Sequence, residues 1–359
     1  MLRPPPFPIC PEDLTADVLS VGLGHPVESF KATRIGANRG MLGVTMRVDV
    51  VYGGGVAGPS PVVTKFAALR EGSLASARRG GTHERELRFY DELARITPVR
   101  TPAFHAAWYD PDTAHFLLLQ EMIDADEQVD QVAGVSVDRV RLVLTEVARL
   151  HATWWGDPRL KGLDWLPPPD SPRRKQNLGA MAADGWRSLC DMLGPELDAE
   201  EQALGDGLPD RVEAMLAGLA AAPETMLHGD LRADNLLFSA EGDSVTLVDW
   251  QGLGRGPAGW DLAYLMSQCL TVDDRQVHEA ELLDHYRVEL ADAGCQATAE
   301  EVREGYAEAM LFVHNNKAQI FEFDFILNQS VGTYDNIDFT IFNSFKDLFP
   351  LRHFLFPNQ

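Results

Sequence analysis

The sequence is short of cysteine and of positive charge, and it contains no long apolar run. Its four cysteines, Cys10, Cys190, Cys269 and Cys295, stand far apart with no CxxC pair. That spacing argues against a disulfide framework or a structural zinc site and points to a reduced, cytoplasmic setting. Nowhere do about 18 apolar residues follow one another, so no membrane span is expected. The opening MLRPPPFPICPEDL is broken by proline and lacks the apolar centre of a signal peptide. Lysine and arginine number 31 against 54 acidic residues, a formal charge of −23. Such a surface repels the phosphates of nucleic acid and of anionic lipid. A polyanionic ligand would need local devices: a lysine, backbone amides or a metal. A cationic ligand is compatible with the general field, although solubility alone also accounts for it.

What is present falls into two regions. Gly43 to Tyr52 and Pro61 to Ala68 read as strands joined by the glycine-rich turn Gly53 to Gly58. Thr82 to Leu93 spaces Leu87, Tyr90 and Leu93 as a helix does, and Phe104 to Tyr109 with His115 to Met122 read as a second strand pair. After Glu121 the character changes. Val137 to Trp155 sets Val140, Leu144, Val147, Leu150 and Trp154 along one helical face. A proline-rich break at Leu166 to Pro172 leads into an acidic, amphipathic stretch that ends near Ala222. Short strands then bracket a loop between Met226 and Trp250, and the remainder reads as mostly helical. These features predict an α+β chain with a small β-rich part followed by a larger helical one.

The stretch LHGDLRADNLLF, Leu227 to Phe238, followed by VTLVDWQ, Val245 to Gln251, concentrates the chemistry. An Asp and an Asn lie five positions apart in a loop, and a second Asp ends the next strand. Phosphoryl transfer asks a protein mainly for positioning and charge neutralisation. One carboxylate must orient the attacking hydroxyl and take its proton, and Asp230 suits that role. Oxygen donors must hold magnesium against phosphates, and Asn235 and Asp249 suit that one. Lys65, within a β-type run, is either a phosphate ligand or an edge-strand lysine reaching water.

The HxDxxxxN loop with its strand-end Asp resembles the catalytic machinery of the protein-kinase-like superfamily. In detail, HGDLRADNLLF and LVDWQGLGRGPAGWDLAYLM resemble the aminoglycoside phosphotransferase and choline kinase-like families, with a flavour of the ecdysteroid-kinase-like branch. The resemblance implies a bilobal kinase-like fold. Residues 1–122 would form a nucleotide-binding lobe and 123–359 a catalytic and substrate lobe, with 156–222 as an insertion that builds the acceptor pocket. It further implies ATP and Mg2+, Asp230 as base, Asn235 and Asp249 as metal ligands, and His228 as a loop stabiliser. Lys65 would bind phosphate and pair with Glu86, selected by the similarity of ERELRFYDEL to the family's E-x-x-F-Y helix; Glu84 is the alternative. Gly36 and Gly40, in the turn IGANRGMLG, would approach the phosphates, although this turn departs from G-x-G-x-x-G. Glu121 and Met122 would meet adenine through their backbone. Asp261 would tether the catalytic loop, and Arg232 would steady the transferred phosphate or be an exposed loop residue. His151 reads as a packed helix histidine.

Only a short span separates Asp249 from the helix-like GWDLAYLM, which leaves no room for a peptide-binding activation segment. The expected partner is therefore a small-molecule hydroxyl acceptor, with neither protein nor nucleic acid as substrate. Aminoglycoside-, choline- or steroid-like alcohols all remain open, as does hydroxyacyl-CoA, although no basic patch for its phosphates is visible. Acids at Asp191, Glu196, Asp198, Glu200, Glu201, Asp206 and Asp210 would favour a cationic acceptor if they faced the cleft, and are silent if they form a solvated face. The aromatics Trp154, Trp155, Trp165, Trp186, Phe321, Phe323 and Phe325 read as core before they read as pocket lining. The alternative to an enzyme is a nucleotide-binding pseudokinase.

Overall fold

In a computed structural model of the chain, residues 2–35, 43–125, 134–193 and 199–317 are described. Gly36, Gly40, Phe321, Phe323 and Phe325 lie outside them. The chain opens with helix α1, Ala16–Leu23, capped at its start by the Thr15 hydroxyl. Strands β1 (Val27–Ile35), β2 (Gly43–Tyr52) and β3 (Val62–Ala67) follow, then helices α2 (Glu71–Gly80) and α3 (Thr82–Arg88). Strands β4 (Phe104–Tyr109) and β5 (Phe116–Glu121) complete an antiparallel five-stranded sheet in the order β1-β2-β3-β5-β4.

Side chains alternate across a strand, so each strand sorts its residues between two faces. Met46, Val48, Val50, Val62, Phe66, Leu117 and Leu119 pack with Leu14 and Leu19 beside α1. Lys65, one step from Phe66, is thereby turned to the opposite face, where Ala67 and Leu118 meet Leu87, Phe89 and Tyr90. The sequence predicted one helix over Thr82 to Leu93. In the structure α3 ends at Arg88, and Phe89–Leu93 continues as a single π-helical turn. The wider turn brings Phe89, Tyr90 and Leu93 together into the core, all buried.

Helices dominate the rest. Ser136 caps α4 (Val137–Trp154), whose buried stripe runs from Val140 through Val143, Leu144, Val147, Ala148, Leu150 and His151 to Trp154. Helices α5 (Pro172–Leu193), α6 (Ala199–Asp206) and α7 (Leu208–Ala221) occupy the acidic stretch after the proline-rich break. Two small antiparallel pairs follow, β6 (Glu224–Leu227) with β9 (Gly254–Pro257) and β7 (Leu236–Phe238) with β8 (Val245–Leu247). Helices α8 (Gly259–Cys269), α9 (Val272–Asp292) and α10 (Ala299–Lys317) close the described chain. None of the described helices is long and apolar enough to cross a membrane. The fold is a mixed α and β one, sheet first and helices after, as the sequence predicted. Its main core is continuous from the α3 side of the sheet into the helices.

Helix α8 reaches the core because glycine lets it approach α10 backbone to backbone. A Cβ on Gly259 would stand 2.1 Å from the Gly305 carbonyl oxygen. Gly259→Ala must push the helices apart, and overpacking of this kind costs about 1–3 kcal/mol. Urea unfolding should report a loss of that order, and an unchanged midpoint would contradict the contact.

Candidate active site

The loop between β6 and β7 carries His228, Gly229 and Asp230, and its shape is held from below. Asp261, in the first turn of α8, accepts the backbone N–H of His228 and of Gly229, each at 2.8 Å. Its Oδ2 also lies 3.3 Å from His151 Nε2 on α4, and His151 Nδ1 meets the Tyr286 hydroxyl at 2.8 Å. Asp261 and His151 are fully buried, so their polar groups need these partners. His151 is thus a packed helix histidine, and it is also the next link beneath the loop. Gly229 takes φ +80°, and a Cβ there would stand 2.1 Å from the Gly252 oxygen. Only glycine fits so close to the turn after β8. His228 Nδ1 accepts the Asp230 N–H at 3.3 Å while Nε2 faces the Val248 carbonyl at 3.0 Å. Those partners define the neutral tautomer with its proton on Nε2 and make His228 a brace between loop and strand.

Asp230 and Asn235 are adjacent in space. The Asn235 amide donates to the Asp230 carbonyl at 2.8 Å and to its carboxylate Oδ2 at 3.0 Å. Arg232 Nε lies 3.7 Å from the same oxygen, and the Asp230 side chain is 27% exposed, open to an approaching group.

On the sheet side, Lys65 Nζ meets Glu86 Oε1 at 2.8 Å, Glu86 Oε2 at 2.9 Å and Asp249 Oδ1 at 3.1 Å. Glu84, the alternative partner, instead pairs with Arg88 on the outer face of α3. Burial opposes the Lys65 charge, but the Asp249 and Glu86 carboxylates outweigh it and push its pKa up. Glu86 is also pushed up, by burial and by the Asp249 charge, against the pull of Lys65. Asp249 moves the other way, because Lys65 and the Arg232 cation overcome its desolvation. Asp249 sits at φ +62°, a left-handed conformation that Asp tolerates better than most residues. Next to it, Trp250 stacks on Phe89 at 3.7 Å between ring centres and packs against His228 at 4.5 Å. One indole therefore joins the π turn after α3 to the loop that carries Asp230.

Two contributors escaped the sequence reading. Gln251 donates to Glu86 Oε2 at 3.1 Å, and Arg85 donates to the Gln251 carbonyl at 3.2 Å. Their signal was the glutamine of DWQ standing where a protein kinase has glycine. The Glu121 carboxylate is occupied by Arg100 at 2.6 Å and the Ala103 N–H at 2.9 Å. The Glu121 N–H is itself given to the Ala103 carbonyl at 2.9 Å, and Met122 follows just past β5.

Among the described residues no three His, Cys, Asp or Glu side chains converge as a self-contained metal site. Magnesium commonly takes one or two protein oxygens and fills its shell with phosphate and water. Asn235, with its nitrogen turned to Asp230, has its oxygen as the remaining donor. The Asp249 side chain is 31% exposed and uses Oδ1 for Lys65.

A comparison with protein-family models matches residues 64–308 to APH, the phosphotransferase enzyme family. The chain belongs to that family. Among solved structures, the GDP and kanamycin complex of APH(2")-IIia aligns with TM-score 0.54 at 12% identity, covering 91% of this chain and 93% of that one. The GDP complex of wild-type aminoglycoside 2'-phosphotransferase-IIIa aligns with TM-score 0.51 at 12% identity, over 90% and 92%. An ethanolamine kinase from Plasmodium vivax aligns with TM-score 0.52 at 12% identity, over 90% and 84%. At such identities the likeness is one of fold. A comparison with curated proteins gives no match. Family membership makes this protein a phosphotransferase, and the matched span holds every site residue described above from Lys65 to Asp261.

The electrostatics of Glu86 give a pH signature. A carboxyl whose pKa is higher folded than unfolded takes up a proton on folding in acid. Its contribution to stability therefore falls as pH rises from its unfolded value, about 4.3. Glu86→Gln removes that titration, so stability relative to the parent should climb across weakly acidic pH. Parallel stability profiles for the two proteins would contradict the assignment.

Proposed function

We propose that this protein is an ATP- and magnesium-dependent kinase that transfers the γ-phosphate to a hydroxyl of a small molecule. The observation that carries the reading is the meeting in one site of Asp230 with Asn235 and of Lys65 with Glu86 and Asp249. Each pair joins residues of the types that phosphoryl transfer needs.

In this reading Asp230 is the base. Its carboxylate, oriented by the Asn235 amide, accepts the acceptor's O–H proton as the oxygen attacks the γ-phosphorus and the bond to ADP breaks. Lys65, kept charged by its two carboxylates, meets the phosphates, and Glu86 aims it. Asn235 and Asp249 would hold magnesium, which when bound neutralises phosphate charge. Arg232, beside Asp230, steadies the transferred group. The backbone at Glu121 and Met122 meets the base of the nucleotide, and Gly36 and Gly40 approach its phosphates. The boundary between nucleotide and substrate lobes falls after Met122, and residues 156–222 contribute to the acceptor pocket. The GDP complexes among the similar folds make GTP the alternative donor.

The HGDLRADNLLF and DWQ segments also support the finer placement near the ecdysteroid-kinase-like branch, and scattered free cysteines support a cytoplasmic setting. Only four residues lie between Asp249 and β9, and α8 begins soon after, which disfavours peptide substrates. A pseudokinase has no need of a base held this way, and a hydroxyacyl-CoA would need cations for its phosphates.

Asp230→Asn keeps the shape and removes the proton acceptor. Turnover should fall about 10²- to 10⁴-fold while nucleotide affinity stays within a factor of about two. Coupled ADP-release kinetics and nucleotide titration give both readings, and full activity in the variant would sink the mechanism.

A further inference from the structure

Helix α5 opens with Pro172, Arg173, Arg174 and Lys175, a basic cluster in a strongly acidic chain. Lys175 is paired with Glu213 at 3.3 Å. Arg174 is different. Its backbone N–H reaches the Ser171 hydroxyl at 3.4 Å, yet among the described residues its guanidinium has no carboxylate or carbonyl partner. It lies 5.1 Å over the Trp260 ring, and its Nη1 is 3.6 Å from where a Cβ on Gly254 would stand. Burial pulls its pKa down to about 10, and no carboxylate opposes the shift. It is a cation at neutral pH, half-buried and, among the described residues, uncompensated by any carboxylate. Other arginines of the region have partners: Arg255 donates to Glu224 at 2.6 Å, and Arg232 stands by Asp230.

The position matters as much as the missing partner. Gly252, two residues before Gly254, packs on the base: a Cβ on it would lie 3.1 Å from Asp230 Cβ. Trp260 is followed by Asp261, which holds the Gly229 amide next to Asp230. Arg174 therefore stands on the insertion side of the turn that packs against the base. An unpaired charge out of water is costly and is stabilised by an opposite charge that arrives with a ligand. A guanidinium over an aromatic ring keeps its N–H edges for bidentate contact with a carboxylate or phosphate. Of the insertion acids named above, Glu196 and Asp198 lie outside the described residues, while Asp191 and Asp206 are exposed and Asp206 accepts from Trp186 at 2.8 Å.

We propose that Arg174 is an acceptor-binding residue whose guanidinium, laid over Trp260 on the insertion side of the turn that packs against the base, takes a carboxylate or phosphate group of the molecule being phosphorylated. The preferred acceptor is then an anionic alcohol. The proposal rests on the kinase reading and deepens it.

The test uses the full chain saturated with magnesium and AMP-PNP, with inorganic phosphate and acetate as probes and chloride at equal ionic strength as control. Thermal unfolding should shift upward with phosphate or with acetate beyond the chloride response, and whichever acts names the anionic group. In Arg174→Met the shift should disappear, with anion affinity at least about 10-fold weaker, and Arg174→Lys should retain part of it. Without anion, Arg174→Met should unfold no lower than the parent, since an uncompensated charge has been removed. A parent response equal to that of chloride, or one that survives in Arg174→Met, overturns the proposal. So does a lower melting temperature of Arg174→Met without anion, which would reveal a carboxylate partner within the chain. A parent that AMP-PNP itself fails to stabilise would instead undo the kinase reading beneath it.

Discussion

A single ammonium, Lys65 Nζ, holds together three elements remote in the chain. It stands on β3, takes Glu86 from α3 and reaches Asp249 after β8, so the sheet, its helix and the strand-end turn meet at one charge. The arrangement is costly in isolation because all three groups lose water. Two carboxylates around one ammonium also leave a net negative charge. Glu86 responds with a raised pKa and Asp249 with a lowered one, so Asp249 keeps its charge while staying partly exposed. Trp250, stacked on Phe89 and touching His228, gives the same junction an apolar clamp.

The second constraint is backbone geometry. The loop that carries Asp230 is hung from Asp261, which in turn rests on His151 and, through it, Tyr286. Gly229 and Gly252 let the two turns touch. The site is thus assembled from a buried polar chain below and an ion cluster beside it. The Asp230 carboxylate is left partly open.

Much of this was legible locally. The strands β2, β4 and α4 fall where period and turn residues placed them, because each buries one face against a neighbour. The HGDLRADN loop was readable because its donors and acceptors lie within eight residues. Glu86 needed the family resemblance to be preferred over Glu84, and the fold separates them by burial against exposure. The His151 partner lies 135 positions away and Gln251 is 165 from Glu86, separations that no local pattern encodes. The insertion was read as acidic, which hid Arg174: its meaning depends on a missing partner, and a missing partner is visible only in three dimensions. The π turn after Arg88 had the apolar spacing of an ordinary helix, so nothing local announced it.

The most direct test of the central claim is identification of the product. Incubation with magnesium and ATP and a mixed panel of neutral, cationic and anionic alcohols, followed by mass spectrometry of the small-molecule fraction, should reveal a phosphate monoester formed in equal amount to ADP. ADP release without any phosphorylated alcohol, or phosphate found only on protein, would contradict it.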